Sequence, residues 1–273
     1  MDDRSKSAER PASPGVDRAL TVLECLVEAD EELTLTALAK VTNIPLATCA
    51  SIVYTLEQRG YASRRVVGRS HFWRPTLRLY GLASQLVRDT DLSRVATGEM
   101  RALADRLGMP VHMGVLDGHS VVYVAKAATP GFVQFDTYSG KIAPFNLTAL
   151  GRAIAAYLDP DELDPLLSKL TPGRGPNAPK GGKKAFRALL ETVREQGYAV
   201  EQEEEQAEIS CVAAPFFGID GSVAGALGVT GFARDLTPDQ MRVAAAGLVD
   251  LTTEVSRRLG CPPESLPSVV PVS

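Results

Sequence analysis

Six arginines fall between positions 59 and 78, at Arg59, Arg64, Arg65, Arg69, Arg74 and Arg78, and no acidic residue interrupts them. The chemistry open to such a cluster is anion binding. Guanidinium groups pair with phosphate oxygens, release condensed counterions from a nucleic-acid backbone, or enter a narrow minor groove. Gly68 stands where a hairpin would turn, so the arginines are predicted to ride a β-ribbon. The alternative is a small helical subdomain carrying a solvated basic hairpin.

Bond-making chemistry has little to build on. The histidines are His71, His112 and His119, and the chain has no Gly-x-Ser-x-Gly elbow, no His-Glu-x-x-His pair and no phosphate-cradling glycine loop. His71 falls in the basic ribbon and His119 at a hairpin tip. His112 could face a ligand, although a strand histidine with its hydrogen bonds met is the commoner case. A nucleophile at Cys211 would need an activating base that the sequence does not offer. The expectation is that the protein is not an enzyme, with no catalytic residue, no metal site and no cofactor.

The elements that position the arginines begin upstream of them. Leu35, Leu38 and Ala39 recur at helical spacing behind a possible N-cap at Thr34. Asn43, a residue that tolerates a left-handed backbone, marks a turn, and Pro45 opens a second helix. Cys49, Ile52, Val53 and Leu56 form the apolar stripe of that helix, and Gly60 closes it. A helix-turn-helix followed by a basic ribbon is a winged helix-turn-helix. Before it, Val16 to Val27 is predicted as a helix with a broad stripe of Val16, Ala19, Leu20, Leu23, Leu26 and Val27. After it, Tyr80 to Leu107 reads as largely helical, broken around Asp89-Thr90-Asp91, with Asp91 as a cap.

From Met109 the apolar period changes from helical to alternating. Val111, Met113 and Val115 lead to Asp117-Gly118, followed by Val122 and Val124, the pattern of a β-hairpin. Cys211 to Phe217 and Val223 to Thr230 flank Asp220-Gly221 in the same way. Helices are expected between the hairpins at Leu147 to Leu158, Pro160 to Leu170 and Ala185 to Gln196. Thr237-Pro238-Asp239-Gln240 is a capping box opening a last helix through Leu259. The Gly-, Pro- and Lys-rich stretch from Thr171 to Lys184 is read as a solvated surface loop. Antiparallel strands with helices to one side make an α+β domain.

These segments resemble IclR-type transcriptional regulators. The run Val16 to Gly81 is similar to their DNA-binding domain in Arg18-Ala19-Leu20-Thr21-Val22-Leu23, Leu33-Thr34-Leu35, Ile44-Pro45, Thr55-Leu56-Glu57 and Gly60-Tyr61. Pro144 to Ala153 resembles the family's small-residue Gly-Lys-Ala segment, with Arg152 in place of the lysine. Cys211-Val212-Ala213-Ala214-Pro215 resembles its other signature, preceded by Arg194-Glu195-Gln196-Gly197-Tyr198 and Glu203-Glu204. The resemblance spans residues 14 to 260 and implies a GAF-like effector-binding fold for the second domain. The first helix would pack on the helix-turn-helix and help pair two wing domains; a purely intradomain core accounts for its stripe equally well.

The resemblance also implies a small metabolite, often a carboxylate, held between the start of the small-residue helix and the Cys-x-Ala strand pair. Carried over position by position, the effector-binding candidates are Phe132, Phe135, Ala149, Leu150, Glu201, Ile209, Cys211, Gly228 and Thr230. Amides at Ala149 and Leu150 favour an anion. Gly228 stands where a hydroxyl residue is common and Glu208 replaces a usual glycine. Together with the two phenylalanines, the lost hydroxyl implies a ligand larger and more apolar than pyruvate or glyoxylate.

For DNA, the recognition-helix candidates are Ala47, Thr48, Ser51, Tyr54 and Gln58, and the wing candidates are Arg64, Arg65 and Arg69. The exposed face of the helix, Leu46, Ala47, Ala50, Ser51, Tyr54 and Gln58, contains no Lys or Arg, so bidentate reading of guanine is closed to its first turns. The wing is therefore expected to supply most of the affinity.

Composition fits this division. The chain has 273 residues, 45% hydrophobic and 23% charged, with a net charge of -4, which excludes a wholly basic coat protein and leaves room for two domains. Residues 1–90 carry 12 Lys and Arg against 11 Asp and Glu, and the remainder 17 against 22, so the acidity lies in the part that does not meet phosphate. Cys25, Cys49, Cys211 and Cys261 form no Cys-x-x-Cys pair and read as reduced thiols.

The expected organisation is a disordered tail at 1–13, a winged helix-turn-helix at 14–83, a connecting helix at 84–107, an effector-binding domain at 108–260 and a disordered tail at 261–273. The expected setting is the cytoplasm, with no membrane partner. The expected partners are double-stranded DNA, a small-molecule effector and further copies of the chain, as a homodimer or homotetramer on palindromic DNA. A metabolite sensor that has lost specific DNA binding is the alternative, and an enzyme the last choice.

Overall fold

The computed structural model describes residues 11–89, 92–129, 135–178 and 180–267. The expected tails over 1–10 and 268–273, the cap at Asp91 and the ligand candidate Phe132 lie outside the described residues. The chain divides into two compact units, Met1–Asp89 and Thr90–Ser273.

In the first unit, helices α1 (Pro14–Glu28), α2 (Leu35–Thr42) and α3 (Leu46–Gln58) precede a sheet of β1 (Leu33–Thr34), β2 (Ala62–Val67) and β3 (Ser70–Pro75) in the order β1-β3-β2, and α4 (Arg78–Asp89) follows. Thr34 caps α2, its hydroxyl accepting from the Ala37 amide at 3.2 Å. Asn43 takes a φ of 55°, and α2 and α3 meet at a bend of 113°. Gly60, at a φ of 79°, ends α3 in the left-handed region that a β-carbon disfavours. Leu38, Cys49, Val53 and Leu56 close on Val22, Leu26, Ala62 and Trp73 to form the core. Burial of each large side chain in it contributes about 1.5–3 kcal/mol.

The expected stripe of α1 needs correction. Val22, outside it, is buried with Leu26, while Val16, Leu20 and Val27 are exposed. The face that looked like a uniform core stripe is half turned to solvent.

In the second unit, α5 (Leu92–Leu107) leads into hairpin β4 (Val111–Asp117) and β5 (Ser120–Ala127), then β6 (Ile142–Pro144), α6 (Ala149–Ala155), α7 (Pro160–Leu167) and α8 (Gly182–Gln196). Strand β7 (Ala199–Gln202), hairpin β8 (Ile209–Phe217) and β9 (Val223–Phe232), and α9 (Pro238–Arg258) complete it. The sheet is antiparallel in the order β6-β5-β4-β9-β8-β7, so the two hairpins meet at β4 and β9 in its centre. Thr237 caps α9, accepting from the Gln240 amide at 3.3 Å.

Helices cover both faces of this sheet, not one. On one face Met100 and Leu103 of α5 and Leu248 and Val255 of α9 pack on Val111, Met113, Val212 and Leu227. On the other, α6, α7 and α8 pack on Val121, Tyr123, Ala199, Ala213 and Ala226. Strand β8 is buried on alternate residues of both kinds, Val212 and Ala214 facing one way and Ala213 the other, so neither face could remain in water. The expected unstructured tail from 261 is also corrected as far as Pro267: Cys261 is buried, and Pro263–Ser265 forms a short 3-10 turn.

Candidate functional site

The first candidate surface is α3 with the β2–β3 wing. Ala47, Ser51, Tyr54 and Gln58 are exposed along α3 and Thr48 is half-buried. The wing arginines are not equivalent. Arg64 pairs with Glu57 at 3.3 Å, and its guanidinium lies 5.4 Å from the Tyr54 ring centre and 5.6 Å from that of Trp73. Arg65 bonds Glu32 through Nε at 2.6 Å and lies over Phe72. The Arg65 guanidinium, with Arg74 adding to it, holds the Glu32 carboxyl below its usual range. Arg69, beside the turn at Gly68, makes no ion pair among the described residues. Arg64, Arg65 and Arg69 were together expected to supply most of the affinity for DNA. Two are already paired within the protein because Glu57 and Glu32, outside the basic run, fold back against it.

The second candidate is a cavity between α6 and the sheet, with about 310 Å³ of empty space that includes its open mouth. Its floor is two cross-strand rows. Glu201, Cys211 and Thr230 are register neighbours on β7, β8 and β9; Ala213, Gly228 and His112 are neighbours on β8, β9 and β4. Glycine at 228 lets the helix close on the sheet, since a β-carbon there would lie 3.1 Å from Leu150 Cδ2 and 3.0 Å from the Val212 carbonyl oxygen. Thr148 caps α6, accepting from the Gly151 amide at 3.0 Å. Arg152, fully buried on α6, donates to the carbonyls of Asn146 and Val200, each at 3.0 Å, and to both carboxylate oxygens of Glu204 at 2.8 and 2.5 Å. It fastens the helix to the turn after β7 and is spent there.

Electrostatics inside the cavity follow from burial. The Glu201 carboxyl accepts from the Glu204 and Glu205 amides at 2.7 and 3.2 Å, yet burial pushes both Glu201 and Glu205 above the usual carboxylate range. Cys211 Sγ lies 3.3 Å from Thr230 Oγ1, and burial pushes its thiol up, which favours the neutral form over the thiolate. His112, 1% exposed, is pushed down to about 3 by burial and then by Lys126 and Lys141. Neither of its ring nitrogens has a hydrogen-bond partner among the described residues. The expectation of a satisfied strand histidine is overturned.

Residues 84–257 match the family description "Bacterial transcriptional regulator IclR C-terminal", and residues 15–65 match "IclR helix-turn-helix domain". The chain belongs to the IclR family. Among its relatives, the HTH-type transcriptional regulator XynR of Escherichia coli K12 is 28% identical over 254 residues, covering 92% of this chain and 99% of its own. A transcriptional regulator from Rhodococcus sp. RHA1 superposes with a TM-score of 0.77 at 25% identity, covering 90% of this chain and 98% of its own. An IclR homologue from Microbacterium hydrocarbonoxydans, solved in complex with 4-hydroxybenzoate, shares the fold with a TM-score of 0.74 at 20% identity, over 89% of this chain and 99% of its own. The present chain is thus an IclR-family transcriptional regulator with a DNA-binding helix-turn-helix and an effector-binding C-terminal domain.

Within this IclR-family effector domain, Ala149, Leu150, Glu201, Cys211, Gly228 and Thr230 line one cavity, while Ile209 and Phe135 do not. Ile209 lies on β8 before the row that reaches the cavity, paired with Phe232. Phe135 packs on the Phe232 ring at 5.2 Å. Of the residues behind the expectation of a larger, more apolar ligand, Phe132 lies outside the described residues and Gly228 lines the cavity. From the sequence His112 was weighed as ligand-facing and set aside, and Tyr123, Leu147, Thr148 and Glu205 were missed among the other lining residues. His112 carried a signal, because it alternates out of phase with Val111 and Met113 and so faces the opposite side of the sheet.

Proposed function

We propose that this regulator binds palindromic operator DNA as a homodimer, with α3 in the major groove and the wing beside it, and that a small organic acid in the α6 cavity controls binding. Ala47, Thr48, Ser51, Tyr54 and Gln58 would touch bases or phosphates, and Arg69 phosphate, with Arg64 and Arg65 joining once released from their carboxylates. The observation that carries the reading is a polar cavity, open at its mouth, between α6 and the sheet of a chain that also carries an exposed winged helix-turn-helix. Exposed Val16, Leu20 and Val27 on α1 support pairing of two first units, and C-terminal units would assemble dimers into tetramers. The acid class is supported by Ala149 and Leu150 at the cavity wall and by 4-hydroxybenzoate in the Microbacterium homologue. Glu201 and Glu205 on the opposite wall disfavour a second negative charge, so the class is a monocarboxylate. We place the protein in the cytoplasm with no membrane partner; no single helix among the described residues is long and apolar enough to span a bilayer.

The test is retention of sheared genomic DNA on the purified full chain at near-physiological salt, beside an Arg64→Ala/Arg65→Ala/Arg69→Ala control. Recovery of a few loci sharing a palindromic element, lost in the control, is expected. Diffuse recovery equal in both would favour the second reading, a metabolite sensor without specific DNA binding, which the absence of Lys and Arg from the exposed face of α3 recommends.

A further inference from the structure

The cavity wall has a hydrogen-bonding requirement that the protein leaves unmet. His112 sits on β4 opposite Gly228 of β9, which has no side chain to offer it, and its ring meets Tyr123 edge to face at 5.6 Å. Both ring nitrogens are buried and unpartnered among the described residues, and the ring lines the cavity. A neutral imidazole presents one N–H donor and one lone-pair acceptor. The acceptor nitrogen needs a donor from whatever fills the cavity, and a polar atom left dry and unbonded weakens any complex that cannot supply one. The neighbouring carboxyls of Glu201 and Glu205 add acceptors to the same wall, and among the described residues no Lys or Arg side chain lines it. Ionised carboxylates and ketones bring acceptors only. A hydroxyl brings the missing donor.

We propose that His112 is the specificity-determining residue of the effector cavity and selects ligands that carry a hydroxyl group, favouring hydroxy monocarboxylic acids over the matching keto and deoxy acids. This rests on the reading of the cavity as an acid-effector site and narrows its ligand class. The hydroxyl donates to the lone-pair nitrogen of His112, while Tyr123 fixes the plane of the imidazole.

The experiment is calorimetric titration of the full-length protein with matched probes: lactate, pyruvate and propionate; 3-hydroxybutyrate and butyrate; 4-hydroxybenzoate and benzoate. In at least one set the hydroxylated member is expected to bind about tenfold or more tighter than its partners, as a single unmet buried hydrogen bond requires. In His112→Phe, which keeps the edge-to-face ring contact but no polar atom, that ratio should collapse to about twofold or less through loss of the hydroxylated probe. His112→Asn, which retains a donor and an acceptor in a smaller side chain, should keep part of the ratio and covers the case in which the phenylalanine variant does not fold. Equal binding of hydroxy and deoxy partners, or an unchanged ratio in both variants, overturns the role of His112 and leaves the effector site standing. Binding of no probe by the unmodified protein overturns both.

Discussion

Two arginines, one in each unit, meet carboxylates under opposite conditions. Arg152 is fully buried and grips Glu204 with two nitrogens, while the side chain of Arg65 is 58% exposed and grips Glu32 at the surface. The first pair cannot exchange partners, because removing either charge strands the other out of water. The second can, because water and salt already compete for it. A guanidinium is structural where it is dry and interchangeable where it is wet, and DNA phosphate can claim only the second kind.

The largest expected effect breaks the dry pair. Arg152→Met should lower unfolding stability by about 3–5 kcal/mol, measured by urea denaturation of the full chain, since Glu204 is left without its cation. Adding Glu204→Gln should recover part of the loss; if it recovers none, packing and not charge accounts for the cost.

A second prediction concerns pH and sets two kinds of dry group against each other. The unfolded chain protonates His112 below about 6.5, whereas the folded chain refuses that proton down to about 3. Its contribution therefore destabilises the fold as pH falls through this window, by roughly 1.4 kcal/mol per unit, and vanishes above it. Glu201 and Glu205 act in the other direction, since burial raises them and the folded state keeps protons that the unfolded state has released. Comparing melting temperature against pH for the unmodified protein and His112→Asn isolates the histidine: the variant should have the flatter acid limb. Identical limbs would mean that His112 takes up its proton as easily folded as unfolded.

At the wing the effects should be smaller. Glu32→Gln releases Arg65 and Arg74 and should tighten DNA binding up to about fivefold at low salt, the range of an exposed ion pair. Arg69→Ala should weaken binding across sequences and reduce the salt slope by about one. Gel-shift titrations at several salt concentrations read both. If Glu32→Gln weakens binding, the carboxylate is positioning the wing and not occupying its arginines.

Signals carried by neighbours in the chain were legible in the sequence. Thr34 before a helical stripe, Asn43 at a turn, Gly60 after α3 and Thr237 before Pro238 each specify local backbone, and the structure uses each as its residue type dictates. What escaped depends on partners remote in sequence. The need of His112 exists because Gly228 faces it across β9, and the fate of Arg152 is set by Glu204, 52 residues on. Phe135 meets the ring of Phe232, far along the chain, and two-sided helix cover of the sheet follows from α5 and α9 packing together, which no single strand pattern announces.

The end of β7 and the turn after it divide their duties: Glu201 on the strand and Glu205 in the turn face the cavity, and Glu204 between them is held by Arg152. The amides of Glu204 and Glu205 both donate to one oxygen of the Glu201 carboxyl. Those two protons form a built-in gauge. Any occupant that draws Glu201 aside loosens both at once, so their exchange with deuterated solvent reports cavity filling from inside the protein, with no label attached.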